Sequence, residues 1–296
     1  MTAAVLYAIL ANLCFSTGSI FFTKYSRKYG ALRFNTFKAM VALIFFIMAV
    51  SFFPLQNFPD FKGISFLALS GILGLAIGDI FIFNAFKIIG PARTLTLFGL
   101  RPLMMAFLTN IFLNAPFKSE DIYPSLFFIL CLIVFAKENY QKNKSWEFSG
   151  LIWGLFGVFL DSTGVLLTRI VFDENPLMTT FHANVLRTLF AVIILISICF
   201  IRYRSFTIVP LKEALSDKLL LFTPVLGTFL ALIFFIQAVK TGNLIIVSAV
   251  GVTGPIFAST LECVYNKEWP SKYLIFALSL FIFGMLLRTY LMAQNV

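Results

Sequence analysis

Five ionisable side chains lie where an apolar chain should hold none. Asp79, Arg101, Asp161, Arg187 and Glu262 each interrupt a run of hydrophobic residues. An ionised group at mid-bilayer costs roughly 2.5–3.5 kcal/mol on insertion scales, so it persists only with a partner, a wet cavity or a task. A desolvated carboxylate is suited to carrying a proton. A guanidinium in the same setting is suited to holding a carboxylate or phosphate through paired N–H donors. Asp161 falls near the middle of its run, which suits a proton-coupled step or neutralisation by Arg187 or a hydroxyl. Asp79 and Arg101 fall at matching depth on consecutive runs and could pair. Glu262 lies near the end of its run and could also simply reach the interface.

The uncharged candidates are polar side chains inside the same runs. Asn12, Ser16, Asn84 and Gln237 could hydrogen-bond a substrate or a neighbouring helix. Tyr7 and Trp153 are plausible walls for stacking, although ordinary packing is the commoner role of such rings. Lys38 and Arg187 recur at matching positions 149 apart, which favours a structural role for both charges. Lys87 and Lys240 close their runs and suit capping of terminal carbonyls. His182, the sole histidine, falls at the start of a run, and the four cysteines show no metal-binding spacing. No metal and no cofactor is expected.

The medium that must position these groups is lipid. Of 296 residues, 60% are hydrophobic and 12% charged, with mean hydropathy +0.94 and 38 phenylalanines. A soluble domain carries about 25% charged residues, so this chain cannot clothe a water-facing surface. Its apolar runs match the roughly twenty residues that cross a bilayer as helix. Ten spans are expected, at 3–23, 34–53, 63–86, 93–113, 122–137, 148–169, 178–201, 218–239, 244–264 and 272–291. The net charge of +10 sits mainly in the short loops and reflects topology and anionic lipid rather than nucleic acid.

The chain also repeats itself. Leu73 to Met104 aligns with Leu226 to Phe257 without a gap: Gly74 meets Gly227, Lys87 meets Lys240 and Pro102 meets Pro255, each 153 apart. Ser16-Thr17-Gly18 recurs 146 later as Ser162-Thr163-Gly164, and Tyr7 and Trp153 share that offset. The longer connection 138–147 divides the copies into a first repeat, 1–140, and a second, 148–296. Five spans is an odd number, so the copies enter from opposite sides, as inverted repeats do. Gly150, Gly154, Gly157, Asp161, Gly164 and Thr168 share one stripe of the sixth span, so Asp161 must face protein or cavity.

Five-plus-five helices, with Ala-x-Lys closing the third and eighth spans and proline inside the fourth and ninth, resembles the drug/metabolite transporter superfamily, EamA type. Lys38 and Arg187 match the basic residue that the family often places early in its second and seventh helices. Glu268 matches an acidic position after the ninth helix, although Lys267 replaces the usual glycine and Ala115 replaces the acid in the first half. Arg101 and Gly254 stand before the two prolines, where relatives often have glutamate.

The resemblance implies an all-α protein of the cell membrane. It further implies secondary transport of a small polar metabolite such as an amino acid, outward and with proton coupling as an option, by alternating access. A passive channel, or transport of phosphorylated or nucleotide-like metabolites, is the alternative. ATP drive and membrane-embedded catalysis are disfavoured, because the chain contains no GxxxxGK[ST], HExxH or GxSxG. Fifteen Lys and Arg fall on one side and five on the other. The positive-inside rule thus puts both termini outside the cytoplasm, whereas the resemblance puts them inside.

Overall fold

The computed structural model describes residues 2–53, 58–113, 119–143, 148–204, 208–242, 247, 250 and 253–294. Its helices are α1 (Thr2–Tyr29), α2 (Ala31–Val50), α3 (Phe61–Ile89), α4 (Pro91–Thr96), α5 (Arg101–Leu113), α6 (Ser119–Asn143), α7 (Ser149–Glu174), α8 (Thr180–Tyr203), α9 (Leu211–Ser216), α10 (Lys218–Thr241), α11 (Thr253–Asn266) and α12 (Lys272–Gln294). No strand occurs among the described residues.

Among the described residues, six helices are long and apolar enough to cross a membrane: α1, α2, α3, α7, α8 and α10. A seventh crossing is counted if the bent pair Pro91–Leu100 and Leu103–Phe112 is one span. The six helices overlap six of the expected ten runs, and in α12 the apolar stretch among the described residues is Lys272–Leu287. The start of the expected ninth run lies largely outside the described residues. Helix α1 also continues to Tyr29, past the expected end at 23, and the connection 202–217 contains the short α9.

The helices pair in a regular pattern. Helix α7 lies along α3, and α1 lies along α10. Helix α7 also touches α5, as α1 touches α11. Helices α2 and α8, α4 and α11, and α6 and α12 pair with each other. These contacts between 1–140 and 148–296 therefore come in matched sets among the described residues.

Glycine makes the tight crossings possible. A β-carbon at Gly164 would lie 2.9 Å from the Ser70 carbonyl oxygen, and one at Gly157 would lie 2.6 Å from Ile82. In the other half, a β-carbon at Gly18 would lie 2.6 Å from the Gly227 Cα. Without a hydrophobic drive between helices in lipid, van der Waals contact at such small residues supplies much of the association. The stripe expected from sequence is thus the α7 surface that meets α3.

Helices α3 and α10 each contain a π-helical segment, Gly71–Gly78 and Val225–Leu230. The two segments overlap at the 153-residue offset. A π turn widens the helix, leaves the ordinary i→i−4 ladder and is often found at functional sites. In α10 the cause is visible: Pro224 has no N–H to give to the ladder. In α3 the Asn35 amide donates to the carbonyls of Leu75 and Ala76, both at 3.0 Å.

Two neighbouring glycines separate the effect of space from that of residue type. A β-carbon at Gly71 would lie 1.9 Å from the Arg187 carbonyl oxygen, whereas at Gly74 the nearest atoms are 3.9 Å away. Gly71→Ala should destabilise by about 3 kcal/mol, the upper end of overpacking costs. Gly74→Ala should be neutral or stabilise by up to about 1 kcal/mol through helix propensity. Unfolding of the detergent-solubilised variants measures both, and equal effects would refute the packing account.

Candidate functional site

The charges inside the spans converge on the crossing of α2, α3, α5, α7 and α8. Lys38 on α2 forms an ion pair with Asp79 on α3, and both side chains are buried. The Lys38 ammonium also lies 4.7 Å from the centre of the Phe83 ring and 5.6 Å from that of Phe22. Arg101, the first residue of α5, pairs with Asp161 on α7. Phe98 and Phe235 flank its guanidinium at 4.8 and 5.1 Å. Unlike the Lys38 pair, this one is not sealed: Arg101 and Asp161 keep 20% and 19% of their side-chain surface exposed.

These pairings correct two expectations. Asp79 pairs with Lys38 rather than with Arg101, and the ion-pair partner of Asp161 is Arg101 rather than Arg187. Equal depth fixed only one coordinate of Asp79 and Arg101. The direction in which each faces is set by which helix packs where. Because α7 lies against both α3 and α5, Asp161 comes between them and takes the guanidinium.

Arg187 is 1% exposed, and no carboxylate lies within ion-pair distance of it among the described residues. Its Nε donates to the Ser70 hydroxyl at 2.9 Å and one terminal nitrogen donates to Asn184 Oδ1 at 3.2 Å. The Ser70 hydroxyl in turn donates to the Gly164 carbonyl at 2.6 Å. A β-carbon at Gly74 would lie 3.9 Å from both the Arg187 guanidinium and the Asp161 Cα. The absence of a side chain there leaves the two groups in mutual electrostatic reach.

The uncharged candidates are mostly engaged in helix contacts. The Asn12 amide donates to the Val250 carbonyl at 3.0 Å and to the Thr253 hydroxyl at 2.9 Å. The Ser16 hydroxyl donates to the Gly254 carbonyl at 2.9 Å. Asn84 donates to Ile80 in its own helix, and Gln237 is half-buried on α10. Tyr7 stacks on Phe234 at 6.3 Å, and Trp153 meets Phe81 at 4.7 Å. Phe81 and Phe234 are themselves 153 apart, so the two aromatic contacts are repeat-related and join halves rather than line the charge cluster. Glu262 accepts from the Ala92 N–H at 3.0 Å, at the start of α4. There it compensates the positive helix end. Lys240 reaches the Met178 carbonyl at 2.7 Å.

Sequence reasoning missed a clasp at the face where α1 ends. Tyr25 donates to Asp217 at 2.8 Å, while Lys28 and Tyr29 both donate to Glu213 at 2.6 Å. Arg93 pairs with the buried Glu138, which also accepts from Ser271 at 2.7 Å. The signal available was a Lys-Tyr pair ending one run and an acid pair opening another. At the opposite face the described ion pair between the halves is the exposed Lys62–Glu174 contact, 2.7 Å long.

The sealed pair and the clasp can each be tested by removing one partner. Lys38→Met strands a buried carboxylate and should cost about 3–5 kcal/mol, while the double change Lys38→Met with Asp79→Leu should recover most of it. Denaturant titration in detergent tests this; a double variant no better than the single one would refute the pairing. At the clasp, donation from Lys28 and Tyr29 holds the Glu213 carboxyl below its ordinary range. Its stabilising contribution is therefore present at neutral pH and is lost as pH falls below the ordinary glutamate value of 4.5 through the depressed folded one. The unfolding temperatures of wild type and Glu213→Gln should differ at neutral pH and converge on acidification.

Comparison with known proteins agrees with this architecture. The model of the EamA-like transporter family matches residues 2–137 and 148–290. An uncharacterized transporter of Archaeoglobus fulgidus is 23% identical over 290 residues, covering 96% of each chain. The uncharacterized transporter YyaM of Bacillus subtilis is 26% identical over 199 residues, 61% of each chain. A crystal structure 17% identical in sequence covers 100% of this chain and 99% of its own with a TM-score of 0.69, a likeness of fold. With its apolar helices, the chain is a multi-pass protein of the cell membrane and belongs to the EamA-like transporter family.

Proposed function

We propose that the protein is a secondary transporter that exports a small polar metabolite by alternating access. Its working unit is ten transmembrane helices arranged as two inverted five-helix halves, 1–140 and 148–296. The family match in two stretches supports this division, as do the exchanged helix pairings and the π segments at corresponding places. In such a frame, exchanging the conformations of the halves moves a central site from one face to the other. The clasp at one face fits a state closed on that side.

The observation that carries the reading is the partly exposed Arg101–Asp161 pair at mid-span. An ion pair retained in an apolar slab, yet not sealed by packing, is where a polar solute can exchange with protein groups. Asp161 is the proton carrier in this reading: protonation would release Arg101, and deprotonation would recapture it. Catalysis is not part of it.

Counterflow in proteoliposomes loaded with a panel of labelled small polar metabolites, amino acids and oxo acids among them, tests the proposal. Wild type should show saturable counterflow that responds to an imposed pH gradient. Asp161→Asn should retain counterflow and lose at least tenfold of the gradient response. Flux without saturation or counterflow would point to a channel, and an unchanged gradient response in Asp161→Asn would remove that residue from coupling.

A further inference from the structure

The ionisable groups at the helix crossing do not balance. Lys38, Arg101 and Arg187 carry three positive charges, and Asp79 and Asp161 carry two negative ones. Among the described residues Arg187 has no carboxylate within ion-pair distance, so one cation is held there by a serine and an asparagine. A buried surplus charge is costly, and the nearest relief is an anion.

The second observation is a donor with nothing to donate to. One terminal nitrogen of Arg101 is engaged by Asp161, but the Nε–H is buried and bonded to no acceptor. A guanidinium edge consisting of Nε and one terminal nitrogen binds a carboxylate through two parallel hydrogen bonds. Asp161 holds the terminal nitrogen of this edge and leaves its Nε–H for a further acceptor; the ion pair as a whole is about one-fifth exposed, and Phe98 and Phe235 hold the guanidinium plane.

From these two facts we infer that the transported solute is an organic monoanion, a carboxylate without a balancing ammonium group, which docks on Arg101 beside Asp161. One carboxylate brings the cluster to neutrality. A zwitterion leaves the surplus in place, and a doubly charged phosphate overshoots it. The inference rests on the transporter reading for the word transported, but the binding it describes can be tested separately.

Thermal unfolding of the detergent-purified protein with probes that share one isobutyl group tests it. 4-Methyl-2-oxopentanoate is the monoanion, leucine the zwitterion and 3-methylbutylamine the cation, with inorganic phosphate added as a fourth probe. Saturable stabilisation should appear with the oxo acid, with leucine and phosphate at least tenfold weaker and the amine inactive. Arg101→Gln should weaken the oxo acid at least tenfold. The double change Arg101→Gln with Asp161→Asn, which keeps the local charge balance and so guards against misfolding, should do the same. Equal or tighter binding of leucine or phosphate, oxo acid binding that survives both variants, or no response to the oxo acid would each overturn the inference. Leucine counterflow without oxo acid binding would leave the transporter reading intact. Oxo acid binding that Arg101→Gln abolishes, in a protein with no counterflow of any probe, would sink that reading instead.

Discussion

Charge neutralisation in an apolar medium is the constraint on which the rest depends. Lipid cannot solvate an ion, so each buried charge must be matched by protein. Lys38 and Asp79 meet this condition fully, with both groups buried and each on the other. Arg101 and Asp161 meet it only in part, because a fifth of each side chain stays exposed. Arg187 meets it with neutral oxygen atoms. The three cations thus run from sealed to partly matched to unmatched by any carboxylate within ion-pair distance among the described residues.

The charges can meet only because the helices come close. Gly164, Gly157 and Gly154 let α7 settle into α3 and the start of α4–α5, so that Asp161 projects between Asp79, Arg101 and Arg187. The π segment of α3 spans Gly71–Gly78, directly before Asp79. Its extra residue per turn rotates Asp79 and the later turns of α3 relative to the earlier ones. Ser70, just before the segment, links Arg187 and the α7 carbonyl of Gly164. Backbone irregularity and side-chain chemistry therefore occupy the same two turns of helix.

Much of this was legible in the sequence, for physical reasons that can be named. Composition gave away the solvent, and the spacing Gly150, Gly154, Gly157, Asp161, Gly164 gave away the packing face. Lys38 and Arg187 read as structural from their recurrence, and both are buried. The partners were not legible. A depth estimate places a residue along one axis, while an ion pair depends on two helices' rotation and on which neighbours lie between them. That is why Asp79 was matched to Arg101 when α7 supplies the intervening Asp161. Asn12 and Ser16 stayed open for a related reason: a polar residue in a span serves a helix contact or a ligand equally well, and here both hydrogen-bond to α11. The clasp of Tyr25, Tyr29, Asp217 and Glu213 joins residues almost two hundred positions apart, which no local pattern encodes.

The deepest asymmetry lies in what the two halves put at equivalent positions. The contact of α7 with α5 is an ion pair between Asp161 and Arg101. Its counterpart, α1 with α11, has Phe15 and Gly254 at those places and is joined by neutral hydrogen bonds from Asn12 and Ser16. Asp79 likewise corresponds to Leu232, and this is why Lys38 has a carboxylate while Arg187 does not. A duplicated backbone makes two conformations nearly equal in energy, as a two-sided machine requires. A binding site has no such need, because its ligand has no two-fold symmetry. The chain thus keeps its π segments and crossings in register and lets its charges diverge, so that equivalent places in a repeated frame carry different chemistry.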